Sequence, residues 1–389
     1  MYRNAFRALA IVAALLLVGA LGAAAERSET RSFSISSGQA LILDLEAGGS
    51  VKITGSGGSE ISVTYRLGGK DGDKCRVEFE ESGEGLKVIS RYVGRNGSYS
   101  TDIDFEIQTP RWIDLELDSM GGGLELTGVE GTFSGKTMGG QLILHDVRGE
   151  AKLTTMGGKI RLTDSELDGS LKTMGGEVLF ENVVGDVKGS SMGGNVRYKN
   201  VQRRDGGIAS PARVGGSDEV TEETVQISTM GGAIRIDEAP EGASLHTMGG
   251  DIRVTDASRF VSAKTMGGDI VIDAVDGWVK ATTMGGNLDV TVVGTGGEVE
   301  LQSMSGDITL IVPRGLSMEL DLEIAYTRNS SKDYRIVSDF DVQQSETGEW
   351  DYDHGSPRRY IRATGSSGGG QHRVRVKTIN GNIHVKAGS

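Results

Sequence analysis

Ten methionines offer the first candidate chemistry in this 389-residue chain: Met120, Met138, Met156, Met174 and Met192, then Met230, Met248, Met266 and Met284, and finally Met304. Within each run the step is eighteen residues, and the step to Met304 is twenty. Only the interval from Met192 to Met230 departs, across an insertion. A thioether is soft and oxidisable, so a file of exposed sulfurs could hold Cu(I) or consume oxidants. A packing role competes with this: a flexible methionine beside a Gly-Gly corner can fold over the edge of a core as filler. The sequence favours filler, because a copper site rarely needs so many equivalent methionines in file.

Other residues with chemical potential are few. Asp351, Asp353 and His354 cluster in "EWDYDHGSPRRY", but no fourth ligand stands at a defined spacing, and a solvated loop is the simpler reading. Cys75 is the single cysteine, has no partner for an internal disulfide, and reads as a buried inert thiol. Phe260 and Trp278 occupy one outward slot eighteen residues apart, so they should stack as an exposed pair able to contact a sugar. Lys136, Lys152, Lys172, Lys188, Lys264 and Lys280 form an outward basic stripe, read as a solvated surface that discourages misassembly. Acidic residues scatter instead of grouping as glycoside chemistry would require. No catalytic residue, cofactor site or metal site is assigned.

The elements that would position these groups follow from the repeat itself. Self-similarity at a short fixed period marks a stacked array. Counting from each methionine, apolar residues stand at the fourth and sixth positions, as in Leu142/Leu144, Ile160/Leu162, Val178/Phe180 and Ile270/Ile272. A second alternating stretch follows, as in Ala151, Leu153 and Thr155, or Val279, Ala281 and Thr283. Period-two alternation is the mark of a strand with one buried face. The expected fold is therefore all-β: a single parallel β-solenoid of about eighteen residues per coil, two short strands per coil, with β-rich caps at both ends. A right-handed path is expected from the preference of parallel crossovers.

Two other eighteen-compatible folds fit less well. A left-handed hexapeptide helix needs a small or aliphatic residue every six positions, and after Met138 and Leu144 comes Glu150. A calcium-binding nonapeptide roll needs a second Gly-rich, Asp-bearing half per coil. The third position after methionine is Gln141, Lys159, Glu177, Asn195, Ala233, Asp251, Asp269 and Asn287, too mixed for a metal ladder.

Within the repeated Thr-Met-Gly-Gly, the second glycine is constant: Gly122, Gly140, Gly158, Gly176, Gly194, Gly232, Gly250, Gly268, Gly286 and Gly306. These are the expected structural corners, held to glycine by a positive φ, while the first glycine need only be small, since Ser305 and Asn380 replace it. The Thr or Ser before each methionine points inward by parity, where a stacked hydroxyl column can pass hydrogen bonds along the axis. Asp146, Asp164, Asn182 and Asp256 are expected to serve the opposite turn by bonding nearby backbone.

Organisation along the chain follows. Residues 1–25 read as a signal peptide: Arg3 and Arg7 precede an apolar run ending at Ala23-Ala24-Ala25. No second long apolar run follows, so no transmembrane segment is expected after signal removal. Residues 26–118 form a β-rich cap with degenerate repeats, "LEAGGSVKI" placing Ala47 in the methionine slot. Residues 119–306 form the solenoid, interrupted by a polar loop at 200–224, and 307–389 form a C-terminal β cap with a last repeat in "VKTINGNIHVKAG". Sixty glycines against five prolines suit a chain that turns often, and a net charge of −13 argues against a nucleic-acid partner.

The repeated "TMGGDI", "SMSGDI" and "TINGNI" resemble the bacterial "putative adhesin" family, marked by [ST]-x-[SG]-G-[DN]-[IV] repeats. "LIVPRGLSMELDLE" is similar to its V-P-x-G segment, and the resemblance covers most of residues 40–389. Gly-Gly replaces the commoner Ser-Gly, which affects the corner more than the fold. The resemblance implies a β-solenoid at the cell envelope and carries over no catalytic residue. The expected function is an exported, non-enzymatic envelope protein, periplasmic or at the cell surface, presenting a ladder surface to an envelope protein or polysaccharide. An envelope-stress scaffold, with self-association, is the alternative, and a carbohydrate-active β-helix enzyme is the less favoured one.

Overall fold

The structure, a computed structural model, describes residues 27–94, 100–202, 225–294, 296–330, 333–353 and 355–388. The expected signal peptide, most of the expected 200–224 loop and His354 lie outside the described residues.

Among the described residues the chain is strand throughout, save for a 3-10 turn at Gly72–Lys74. Two parallel ladders run the length of the array. One contains Glu130–Thr137, Arg148–Thr155 and Val187–Ser191, crosses the insertion through the bridge between Ser191 and Thr229, and continues in Val225–Ser228, Ala243–His246, Phe260–Lys264, Trp278–Thr283 and Val299–Ser303. The other contains Leu142–His145, Val178–Val184, Val196–Gln202, Ile234–Ala239, Ile252–Ala257, Ile270–Val275 and Leu288–Val292. A long strand, Ile160–Thr173, takes part in both.

Register explains why the sequence repeats as it does. Leu142 pairs with Ile160, Ile160 with Val178, and Val178 with Val196, each eighteen residues on. Val196 then pairs with Ile234, so the insertion leaves the ladder unshifted. Like residues thereby fall into columns, and Leu124, Leu142, Ile160, Val178, Val196, Ile234, Ile252, Ile270 and Leu288 are all at most 1% exposed. Burying each such side chain contributes about 1.5–3 kcal/mol. The outward residues between them keep the ladders solvated on the other face.

Each end is closed by a coil that chain order does not predict. Ala40–Leu45 and Ser50–Ser56 pair in parallel with Asp114–Ser119 and Leu124–Thr127 on one side. On the other side they pair in parallel with Gly85–Tyr92 and Asp102–Pro110. Antiparallel strands then cover the edge: Cys75–Ser82 on Gly85–Tyr92, Glu60–Gly68 on Asp102–Pro110, and Arg27–Ser34 outermost. The C-terminal end uses the same device. His372–Ile379 and Ile383–Gly388 slot between the last array coil and the strands Met318–Thr327 and Ile336–Ser338. Arg358–Ser367 closes that end antiparallel to Met318–Thr327. The outermost N-terminal strand, Arg27–Ser34, carries Arg27, Glu29 and Arg31, charges that discourage edge-to-edge pairing.

Candidate functional site

The Thr-Met-Gly-Gly corner recurs on one edge of the tube, and each residue in it has a distinct environment. Thr137, Thr155, Thr173, Ser191, Thr229, Thr247, Thr265, Thr283 and Ser303 point inward, none more than 4% exposed. Their hydroxyls do not bond one another. The Thr173 hydroxyl donates to the Gly158 carbonyl of the preceding coil (2.8 Å) and accepts from the Gly176 N–H of its own (3.1 Å). The same pair of bonds recurs at Thr155, Ser191, Thr247, Thr265 and Thr283. Hydrogen bonding does run along the axis, but through alternating hydroxyls and glycine backbone.

The constant glycine is held for a different reason from the expected one. Only Gly122 and Gly140 of the ten corner glycines have φ in the left-handed region, at 86° and 75°. What all ten share is a close backbone approach. A Cβ on Gly122, Gly140, Gly158, Gly176, Gly194, Gly232, Gly250, Gly268, Gly286 or Gly306 would lie 1.6–2.3 Å from backbone of the preceding corner. The first glycine is free of this constraint: a Cβ on Gly139 or Gly157 meets nothing within 4 Å, and one on Gly175 meets its nearest atom at 3.7 Å. That freedom accounts for Ser305 and Asn380.

The methionines do not fold over the core. Met156 is 39% exposed and Met120 60%, with the other eight in between. The filler reading is corrected on this point: the strand ends with its parity intact, so the residue after an inward threonine faces water.

Two polar columns flank the corner. In the second half of the array the third position after methionine fastens successive coils. The Asp251 carboxylate accepts the Asp269 N–H (3.0 Å), Asp269 accepts Asn287 (2.7 Å), Asn287 accepts Asp307 (2.9 Å), and Asp307 accepts Asn382 (2.7 Å). Sequence reasoning missed this role, although the drift of the column toward Asp and Asn downstream was its signal. On the opposite turn Asp146, Asp164, Asn182 and Asn200 hold φ of 50–54°. From Asp164 onward the side chains bond along the stack, the Asn182 amide donating to Asp164 and the Asn200 amide to Asn182, where backbone bonding was expected. Asp256 does not share this conformation.

The remaining candidates separate. Phe260 and Trp278 stack with ring centroids 4.5 Å apart and planes 7° apart. The pair is not an exposed platform, however: Phe260 is 8% exposed, lying over Gly242, and Trp278 alone reaches solvent. The lysines divide into two columns. Lys136 and Lys172 flank Thr154, whereas Lys152 and Lys188 flank Ser170. Lys136 pairs with Asp118 at 3.3 Å and Lys280 with Glu300 at 3.6 Å, so the stripe is not uniformly basic. Cys75 is buried, and burial followed by the nearby Asp71 carboxylate pushes its thiol up, away from nucleophilic use. Asp351 accepts the Tyr360 hydroxyl (2.9 Å) and the Asp353 N–H (2.8 Å), which fixes its own loop. Among the described residues no three His, Cys, Asp or Glu side chains are grouped to hold a metal ion.

No curated protein matches the chain. Solved structures similar to it include a "putative cell adhesion protein" of Clostridium sporogenes (9% identity, TM-score 0.19, 93% of this chain and 100% of that one). A "putative lipid binding protein" of Parabacteroides distasonis (15%, 0.28, 73% and 96%) and a "putative adhesin" of the same organism (9%, 0.23, 92% and 97%) are also similar. Residues 170–386, more than half of the chain, match the family described as Toastrack DUF4097, and the chain belongs to that family.

Proposed function

We propose that this is an exported, non-enzymatic protein of the cell envelope whose solenoid presents a long ladder surface to an envelope protein or polysaccharide. The observation that carries the reading is the register of the ladders. Because Leu142, Ile160, Val178, Val196 and Ile234 pair in line, every outward column is a regular row of side chains rather than a single pocket. A row suits a partner that is itself extended or repetitive, and its affinity would build by multivalency. The corner hydroxyls, Cys75 and Asp351 are buried or already engaged, which fits binding better than turnover. Export rests on the N-terminal segment of the sequence, and the periplasm or cell surface is the compartment proposed. No helix among the described residues is long and apolar enough to cross a membrane.

Retention of envelope components on the immobilised protein, together with a glycan array, tests this. A retained envelope protein or polysaccharide is expected. No retained ligand, with no envelope or adhesion phenotype on deletion, contradicts it, and turnover of a uronan would favour the enzyme instead.

A further inference from the structure

The methionine file is the exposed feature that the fold does not explain. Its neighbours at the corner have structural reasons: the inward hydroxyl bonds two backbone groups, and the second glycine admits a close approach. The methionine side chains face water, where any polar residue would serve the fold. Other outward columns have diverged accordingly. Two positions earlier, successive coils carry Asp118, Lys136, Thr154, Lys172 and Ser190. The methionine slot keeps one residue type through all ten array coils and changes only at the ends, where the register places Glu46 and Ile379. Repeat duplication alone would have preserved both columns equally. Apolar bulk alone would have let Leu, Ile and Val interchange, as they do in the core columns.

The geometry supplies what a sulfur ligand set needs. Equivalent residues on adjacent parallel strands lie about 4.8 Å apart. Backbone bonds hold that spacing through the corner, Met174 N–H to Thr155 carbonyl at 3.2 Å and Met248 N–H to Met230 carbonyl at 3.2 Å. At that backbone spacing the flexible methionine side chains of neighbouring coils can turn two sulfurs toward one ion held between them. The side chains also shade one another: Met120, with no methionine on the coil before it, is 60% exposed, against 39–49% for the rest. Neutral thioethers favour soft ions and offer little to calcium, magnesium or zinc.

We propose that the methionine file is a binding track for a soft monovalent metal ion, Cu(I) or its redox-inert counterpart Ag(I), each ion bridged by thioethers of neighbouring coils. The site is independent of the ladder-surface reading above and stands if that reading fails.

The test compares two variants with equal sulfur content, both in a Cys75→Ser background so that no thiol contributes. The alternating variant carries Met138→Leu, Met174→Leu, Met230→Leu, Met266→Leu and Met304→Leu, leaving no two methionines on adjacent coils. The block variant carries Met230→Leu, Met248→Leu, Met266→Leu, Met284→Leu and Met304→Leu, leaving Met120 to Met192 contiguous. Ag(I) nitrate is titrated calorimetrically in chloride-free buffer, and Cu(I) anaerobically against a chromogenic chelator. The block variant should keep the parent affinity at lower stoichiometry, and the alternating variant should bind at least about tenfold more weakly, having lost the intramolecular second ligand. Methyl NMR of methionine-labelled parent protein gives a readout that needs no variant: Ag(I) should shift the array methionines and leave the buried Met318 in place. Equal affinity in the two variants, unshifted array methyls, or no binding by the parent overturns the proposal.

Discussion

At each corner one hydroxyl serves two backbone groups on two coils, which makes the threonine the most exacting side chain of the repeat. Replacing Thr173 with Val keeps shape and burial but strands the Gly158 carbonyl and the Gly176 N–H. An unsatisfied buried polar group costs about 1–3 kcal/mol. The denaturation midpoint of Thr173→Val should fall accordingly, while Thr173→Ser, which restores the oxygen, should stay near the parent. The adjacent glycines give a sharper contrast. A methyl on Gly176 would sit 2.0 Å from the Gly158 carbonyl oxygen, and one on Gly175 would meet nothing closer than 3.7 Å. Gly176→Ala should therefore cost at least about 3 kcal/mol, the upper end of the overpacking range, with Gly175→Ala close to neutral in the same thermal melt. The inward threonine was legible from parity alone. The reason for the glycine was not, because sequence shows that a side chain is excluded without showing whether φ or a neighbouring backbone excludes it.

At the scale of strands, period-two alternation made the array legible: the pairs at Ile160/Leu162 and Ile270/Ile272 are buried as expected. The terminal coils were legible only as fragments. "LEAGGSVKI" and "VKTINGNIHVKAG" carry the repeat, but nothing local says that each slots between coils distant in sequence, since both neighbours are fixed by long-range pairing. Methionine orientation was ambiguous for a related reason: a flexible side chain at a strand end can turn either way until its coil is placed. One element offers a pH test. The Tyr65 hydroxyl donates to the Glu29 carboxylate, joining the outermost strand Arg27–Ser34 to Glu60–Gly68. Burial, then the Glu29 bond, pushes the Tyr65 phenol up to about 12 from an ordinary 10.0. The fold thus favours the neutral phenol. Its stabilising contribution is complete below pH 10.0 and is lost as pH rises toward 12. Local opening free energies for the Arg27–Ser34 amides, taken from hydrogen exchange after correction for intrinsic rates, should fall over that window. In Tyr65→Phe they should be lower already at neutral pH and lack this dependence. An identical profile in both proteins would contradict the assignment.

For the whole molecule, a stack of like coils makes stability a sum of coil and interface contributions, so coils can be removed in whole units but not in parts. The insertion after Met192 already shows the principle, since Val196 and Ile234 pair as if nothing lay between them. Deletion length tests the stacking most directly. Removing residues 157–174 joins Met156 to Gly175, takes out eighteen residues and leaves one Thr-Met-Gly-Gly at the seam. Removing residues 157–165, half that length, keeps apolar residues in the strand columns but puts Leu167 at the Gly158 corner, where a Cβ would lie 1.6 Å from the Gly140 carbonyl oxygen. It also puts Met174 in the buried column of Val147 and Val183. The measurement is cooperative thermal unfolding followed by far-ultraviolet circular dichroism. The eighteen-residue deletion should keep the β spectrum and a sharp transition within a few degrees of the parent, while the nine-residue deletion should lose both. Equal damage from the two deletions would contradict a coil-on-coil architecture.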